Sequence, residues 1–223
     1  YDIKSKEWSQ DILDVLDISS DMFSEVVPAT EVAGKIDRSV SSELNLEEGT
    51  KVIVGGNDAA CSMLGAGMHS PEKSIAVDTT GTYECIELGS KDPLLGKEMA
   101  DSGFISYCSV LPDQYLTISA QPSAGNVTEW FVRSFLPSKE NPYDELFDSI
   151  DFDGGDLLVL PYLAGNESSW LNPQKKGTIW GLDLTKDKED IFKGIVEGIT
   201  HSLKLNLDRL EDVLDTELSV LRS

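Results

Sequence analysis

The sequence predicts an α/β protein, and three observations carry that prediction. Apolar runs of strand length recur at Val52-Ile53-Val54, Ser74–Val77, Tyr83–Leu88 and Leu157–Leu163. The segments between them repeat their apolar residues at helical spacing, so strands alternate with helices. From Lys188 onward, Ile191, Ile195, Ile199, Leu203, Leu207 and Leu210 form one long helical stripe. No internal repeat or low-complexity linker interrupts the pattern.

In chain order, Trp8, Ile12, Leu13, Val15 and Leu16 predict a first helix, with Ser5 as its cap and Asp17 to Asp21 ending it. Val26-Val27-Pro28 is extended, because a residue before proline is pushed out of the helical region. Ala33 to Ile36 reads as a short strand followed by a polar surface segment. Leu44 to Gly49 is a loop leading into Val52-Ile53-Val54, which reads as a buried strand. Ala59 to Gly67 predicts a helix rich in small residues, and close packing on a sheet would explain Gly65 and Gly67. Pro71 to Lys73 is a turn, and Thr79 to Thr82 is the bend between the next two strands. Lys91 to Gly96 is an exposed loop. Strands follow at Gly103–Tyr107 and Gln114–Ile118, around Leu111 to Asp113. Ser123 to Asn126 precedes an expected helix carrying Val127, Trp130, Phe131 and Phe135, and a short helix is expected over Asp144–Phe147. Leu157–Leu163 reads as a buried strand, and Gly165 to Gly177 as a long loop.

The 223 residues suffice for one large domain or two small ones, and 40% hydrophobic with 26% charged residues is the balance of a soluble globular protein. A net charge of −22 argues against nucleic acid, whose phosphates need clustered Lys and Arg, and against anionic membrane surfaces. No apolar run approaches the ~20 residues of a membrane span. The three cysteines, Cys61, Cys85 and Cys108, form no CxxC pair and read as reduced thiols of a cytoplasmic protein. His69 and His201 lack ligand spacing. The acidic run Asp148 to Asp156 does not match a calcium loop and reads as solvated.

The stretch Lys51–Leu88 carries the chemistry. Gly55-Gly56-Asn57-Asp58 puts a carboxylate directly after a strand, and Thr79-Thr80-Gly81-Thr82 sets a Gly-Thr turn between two strands. The pairing suggests a hydroxyl to be activated beside a phosphate to be held. Plainer readings stand next to it. Asp58 suits the N-cap of the helix starting at Ala59, and Gly81-Thr82 suits an ordinary hairpin bend. Trp130 and Phe131 read as core.

The segments GGNDAACSMLGAG, DTTGTYE, SAGNVTEWF and LPYLAGNESSWLNPQKKGTIWGLDL, followed by Glu197-Gly198 on a helix, occur here in one order. In that order and spacing the chain resembles the FGGY carbohydrate kinases, among them xylulose, gluconate, fuculose, ribulose and glycerol kinases. The resemblance implies an actin-like ATPase, ribonuclease-H-like fold with parts of two domains. Residues 1–73 would be the end of the sugar-binding domain and 74–223 the start of the nucleotide-binding domain. The family's opening Asp-x-Gly-Thr/Ser loop and closing glycine triplet do not occur, and Tyr1 has no methionine before it. The chain is therefore expected to be a central piece of a longer protein, inactive alone.

The activity implied is ATP-dependent phosphorylation of a sugar or polyol, with ATP and Mg2+ required and a second copy of the chain as a candidate partner. Asp58 is then the general base and Asn57 lies beside the sugar. Gly81 and Thr82 form the phosphate turn. Gly125 lets the nucleotide approach the backbone, and Glu129 stands where a polar nucleotide contact is common. Asp78 is the acidic neighbour of the turn, a candidate for holding a magnesium-bound water. Trp170 and Pro173 belong to the family signature and read as loop packing. Two rivals are a non-catalytic sugar- or nucleotide-binding fragment and an actin-like structural ATPase.

Overall fold

The computed structural model describes residues 1–68, 75–136, 141–151, 154–166 and 172–223. Its backbone contacts divide it into two compact units. The first comprises Tyr1–Glu72, Gly89–Leu94 and Ser106–Thr117. The second comprises Lys73–Leu88, Leu95–Ile105 and Ile118–Ser223.

In the first unit, helix α1 spans Gln10–Leu16 and closes on Asp17 in the left-handed conformation (φ 53°). It starts later than the periodicity predicts, and its N-cap position is Ser9 rather than Ser5. Trp8 is excluded from the helix because its ring packs on Phe23 at 4.5 Å and against Tyr1 at 5.6 Å. Strand β1 (Val32–Lys35) is followed by a helix that the polar composition hid, α2 (Arg38–Leu44). The Asp37 carboxylate starts it by accepting from the Ser39 and Val40 amides. Strand β2 (Lys51–Ile53) pairs antiparallel with β1. It is not buried as expected: Val52, Ile53 and Val54 are each 46% exposed, because a two-stranded ribbon has no second layer to cover its apolar residues. Helix α3 spans Asp58–Gly65 and buries Ala60 and Met63. A Cβ on Gly65 would meet nothing, so close packing does not account for that glycine. Gly67 supplies the left-handed residue (φ 87°) after the helix.

Strands β3 (Ile75–Thr80) and β4 (Glu84–Ser90) form an antiparallel hairpin in which Asp78 faces Ile86 and Thr80 faces Glu84. Thr79 and Thr80 belong to the strand, and the bend is Gly81-Thr82-Tyr83. The expected turn at Pro71 to Lys73 lies outside the described residues. Helix α4 (Lys97–Asp101), not foreseen, precedes β5 (Ile105–Cys108) and β6 (Tyr115–Gln121). Helices α5 (Gly125–Phe135) and α6 (Pro142–Ser149) follow.

Strand β7 (Leu158–Leu160) pairs with β8 (Thr178–Trp180), and only Val159 of β7 is buried. The expected fully buried strand fails here because Leu158 and Leu160 face outward, 57% and 43% exposed. Helix α7 (Lys188–Leu214) is the longest, started by a capping box in which Asp187 and Asp190 each accept from the other's amide. A last strand, β9 (Val220–Arg222), pairs parallel to β3 and completes the sheet order β5-β6-β4-β3-β9.

The main core of the second unit gathers Val127, Phe131, Leu136, Leu146, Val159, Phe192 and Ile195. Each large apolar side chain buried there contributes about 1.5–3 kcal/mol. Trp130 packs at its edge and Phe131 is fully buried, as expected of core residues. The buried face of α7 runs through Phe192, Ile195, Gly198, Ser202, Asn206 and Leu210. It is rotated from the predicted stripe because Gly198, Ser202 and Asn206 are inside.

Candidate functional site

In the first unit the site starts from Gly55, which turns the chain out of β2 with φ +79°. Gly56 follows against Val110, and a Cβ there would fall 2.0 Å from Val110 Cγ1. The paired glycines let the backbone leave the strand and enter α3 beside a side chain. Asn57 is the N-cap, its Oδ1 accepting from the Ala59 amide at 3.0 Å. Asp58 occupies the first helical position rather than the cap, and its Oδ1 accepts from the same amide at 2.9 Å. Its carboxylate is exposed at the positive end of a helix, where negative charge is favoured. A cavity of about 410 Å3 opens beside Asn57, walled by Val26 to Ala29 and by Cys108 to Gln114. At its margin Lys6 pairs with Asp113 at 2.8 Å, which raises the Lys6 pKa and lowers that of Asp113.

In the second unit the Gly81–Tyr83 bend is clasped by the start of α5. The Gly125 amide donates to the Gly81 carbonyl at 3.1 Å and the Asn126 amide to the Thr82 carbonyl at 3.3 Å. Two of the amides that a helix start leaves unpaired are thereby satisfied. A Cβ on Gly125 would lie 2.2 Å from the Gly81 carbonyl oxygen, so only glycine permits this docking. The Gly81 amide is engaged by the Tyr83 carbonyl at 2.9 Å, and Gly81, Thr82 and Tyr83 are exposed. The fold thus brings Gly81, Thr82 and Gly125 together. Glu129 lies one turn along α5 with its side chain in solvent.

Behind the bend, the Thr80 hydroxyl lies 3.4 Å from Asp78 Oδ2 and 3.3 Å from Glu84 Oε1. Glu84 is 5% exposed. Burial first, and the neighbouring Asp78 charge second, push its pKa up to about 7. Burial also raises the Asp78 pKa. Asp78 Oδ1 is buried without a hydrogen-bond partner among the described residues. The two carboxyls sit side by side with more negative charge than their protein surroundings neutralise.

Glu84 was not singled out by motif. The signal was in the alternation: Glu84, Ile86 and Leu88 share one face of β4, so a glutamate stands in line with core residues. Trp170 and His69 lie outside the described residues. Pro173 is exposed, and its backbone lies against Gly165 within the same loop. Within the acidic run, 152–153 lie outside the described residues, and exposed Asp156 pairs with Lys186 at 2.7 Å. Among the described residues no group of three or more His, Cys, Asp or Glu could hold a metal ion, and no helix is long and apolar enough to cross a membrane.

Sequence comparison gives the class to which this α/β fold belongs. The N-terminal domain of the FGGY family of carbohydrate kinases matches residues 1–65, and the family's C-terminal domain matches 76–220. The chain belongs to the FGGY family of carbohydrate kinases.

It is 29% identical over 210 residues to the xylulose kinase of Bacillus subtilis, covering 92% of this chain and 40% of that protein. It is 23% identical over 226 residues to the gluconokinase of the same organism, covering 96% of this chain and 42% of that protein. Among solved structures, the gluconate kinase of Lactobacillus acidophilus matches with a TM-score of 0.80 at 21% identity, covering all of this chain and 45% of its own. The fold is the actin-like ATPase, ribonuclease-H-like α/β fold, with parts of two domains. The chain spans about 40% of the length of the curated relatives it matches.

Proposed function

We propose that the whole protein transfers the γ-phosphoryl group of ATP to a hydroxyl of a small sugar or polyol, with Asp58 as the general base. The carrying observation is the exposed Asp58 carboxylate, held at one oxygen by the Ala59 amide at the start of α3. A base must reach an incoming hydroxyl, and an exposed carboxylate at a helix start can do so. Asn57 keeps its side-chain amide N–H groups for a sugar hydroxyl while its oxygen caps the helix.

On the nucleotide side, Gly81 and Thr82 form the phosphate turn, with the exposed Thr82 hydroxyl as a donor to phosphate oxygens. Gly125 fixes that turn by admitting the Gly81 carbonyl, and Glu129 in solvent on the same helix is the polar nucleotide contact. The junction between the sugar side and the nucleotide side is assigned to residues 73 and 74.

Magnesium fits this site. The buried, unpartnered Asp78 Oδ1 and the raised Glu84 carboxyl are oxygen donors short of a cation, and Mg2+ is commonly held by one or two carboxylates with phosphate and water. Bound there, the ion would neutralise phosphate charge. The acceptor belongs with the small sugar acids, ketoses and polyols of the named relatives, and an exposed base leaves room for several of them.

ADP formation over a panel of xylulose, fuculose, gluconate and glycerol tests the proposal, with the whole protein and its Asp58→Asn variant. Sugar-dependent turnover falling about 10²–10⁴-fold in the variant is expected, the usual weight of a positioned base. Unchanged turnover in the variant would sink the base assignment. Absence of turnover with every sugar would favour a non-catalytic binding protein.

A further inference from the structure

Deep in the second unit, three polar side chains are almost wholly buried. Gln121, at the end of β6, is 1% exposed, Ser123 is 0% exposed and Asn206 of α7 is 3% exposed. They form one continuous chain. Asn206 Nδ2 donates to Gln121 Oε1 at 3.3 Å, and Gln121 Nε2 donates to the Ser123 carbonyl at 3.1 Å. The Ser123 hydroxyl donates to the Gly165 carbonyl at 3.1 Å and accepts from the Ala164 amide at 3.0 Å. A single hydroxyl therefore satisfies a donor and an acceptor of a separate loop.

The segment after Ser123 is held just as closely. The Asn126 side chain accepts from the Ala124 amide at 3.0 Å and donates to the Pro122 carbonyl at 2.6 Å, locking 122–126 into one shape. Gly125, the next residue but one, carries the amide that docks on the Gly81 carbonyl. A buried polar chain adds little net stability over an apolar core, but it admits one geometry, since any slip strands a buried donor or acceptor. Here that geometry ends at the turn through which Gly81 and Thr82 are presented.

We propose that Ser123 is a positioning residue for nucleotide, anchoring the start of α5 to the Ala164–Gly165 loop and so setting where the Gly81–Thr82 turn stands. The proposal rests on reading that turn as the phosphate turn. Ser123 touches no substrate in this scheme and acts through Gly125 and the turn.

The test compares wild type, Ser123→Ala, Ser123→Cys and Ser123→Thr in the whole protein, by steady-state kinetics and by equilibrium binding of a non-hydrolysable ATP analogue. Losing a hydrogen bond's worth of positioning should raise the KM for ATP and the analogue Kd roughly tenfold in the alanine variant. The KM for sugar should stay within about twofold, and threonine, which keeps the hydroxyl, should restore the ATP values. Ser123→Cys keeps the volume with a weaker donor and gives the same readings if the alanine variant does not fold. ATP and analogue affinities equal to wild type in a folded alanine or cysteine variant would overturn the proposal. So would a lowered Tm with both KM values intact, which is the mark of a structural residue alone. If wild type turns over no sugar, the kinase reading fails by itself. Analogue binding then still decides: weakened binding in the variant upholds Ser123 as a positioning residue, and no binding even by wild type overturns it.

Discussion

Asp58 and Glu84 are carboxylates next to backbone turns, yet one stands in solvent at a helix start while the other is 5% exposed behind a hairpin bend. Asp58 has an amide donor, the positive end of α3 and water around it, so its charge has little cost. Glu84 has Thr80 and a second carboxyl, Asp78, and burial drives it toward the protonated form. The difference separates two tasks. A base has to be reachable and ionised, whereas a buried pair of acids stores an affinity for a proton or cation. Removing charge should therefore cost activity at Asp58 and add stability at Glu84.

The largest effect is expected from Asp58→Asn, with sugar-dependent ADP formation reduced about 10²–10⁴-fold. Its Tm should fall only slightly, because an exposed carboxamide disturbs no packing and only the favourable charge at the start of α3 is lost. A fall in Tm of the size expected for a core residue would break the contrast with Glu84.

Next comes Gly125→Ala, which drives a methyl into the Gly81 carbonyl oxygen, backbone against backbone with no side chain to yield. Chemical denaturation should show a loss of about 3 kcal/mol. An alanine tolerated without loss would show that the turn can move away from α5, removing the rigid half of the comparison.

Glu84→Gln sharpens the comparison through pH. The folded pKa of Glu84 is raised to about 7 from 4.5, so the native protein holds a proton that the unfolded chain releases in that window. The stabilisation is complete below about 4.5 and is lost as pH rises through about 7. In metal-free buffer the glutamine variant should therefore be about 3 kcal/mol more stable than wild type at pH 8 and nearly equal to it at pH 4. Thermal melts at the two pH values check this, and equal differences at both would refute the buried-acid account.

The smallest expected effect is at the helix start. Asn57→Ala removes the N-cap acceptor and should cost about 1 kcal/mol, recovered by Asn57→Ser. No change on denaturation would mean that the Asp58 Oδ1 bond to Ala59 caps α3 unaided, making Asp58 structural as well as catalytic.

Much of this was legible beforehand. The alternation of strands and helices, the long α7 and the hairpin around Gly81 follow from local periodicity, which a short window of residues contains. Some errors fell where a residue's neighbours lie far along the chain, and others where the local pattern was weak. Val52 to Val54 look buried by composition but stand half exposed in a two-stranded ribbon. Helix α2 was hidden because its apolar residues are few and its start rests on the Asp37 cap. Cap and first turn at Asn57-Asp58 were one residue out, a scale at which two adjacent capping residues cannot be told apart by sequence.

The sequence by itself determined the α/β class, the family motifs and the residue types available for phosphoryl transfer, because these depend on local pattern and on the side chains present. Only the tertiary structure decided that Gly125 serves the Gly81 carbonyl, that Glu84 is buried against Asp78, and that Gln121, Ser123 and Asn206 form one chain of hydrogen bonds. Burial and pairing are properties of segments distant in sequence meeting in space. They set how strongly a carboxylate resists its own charge, and that no single stretch of residues encodes.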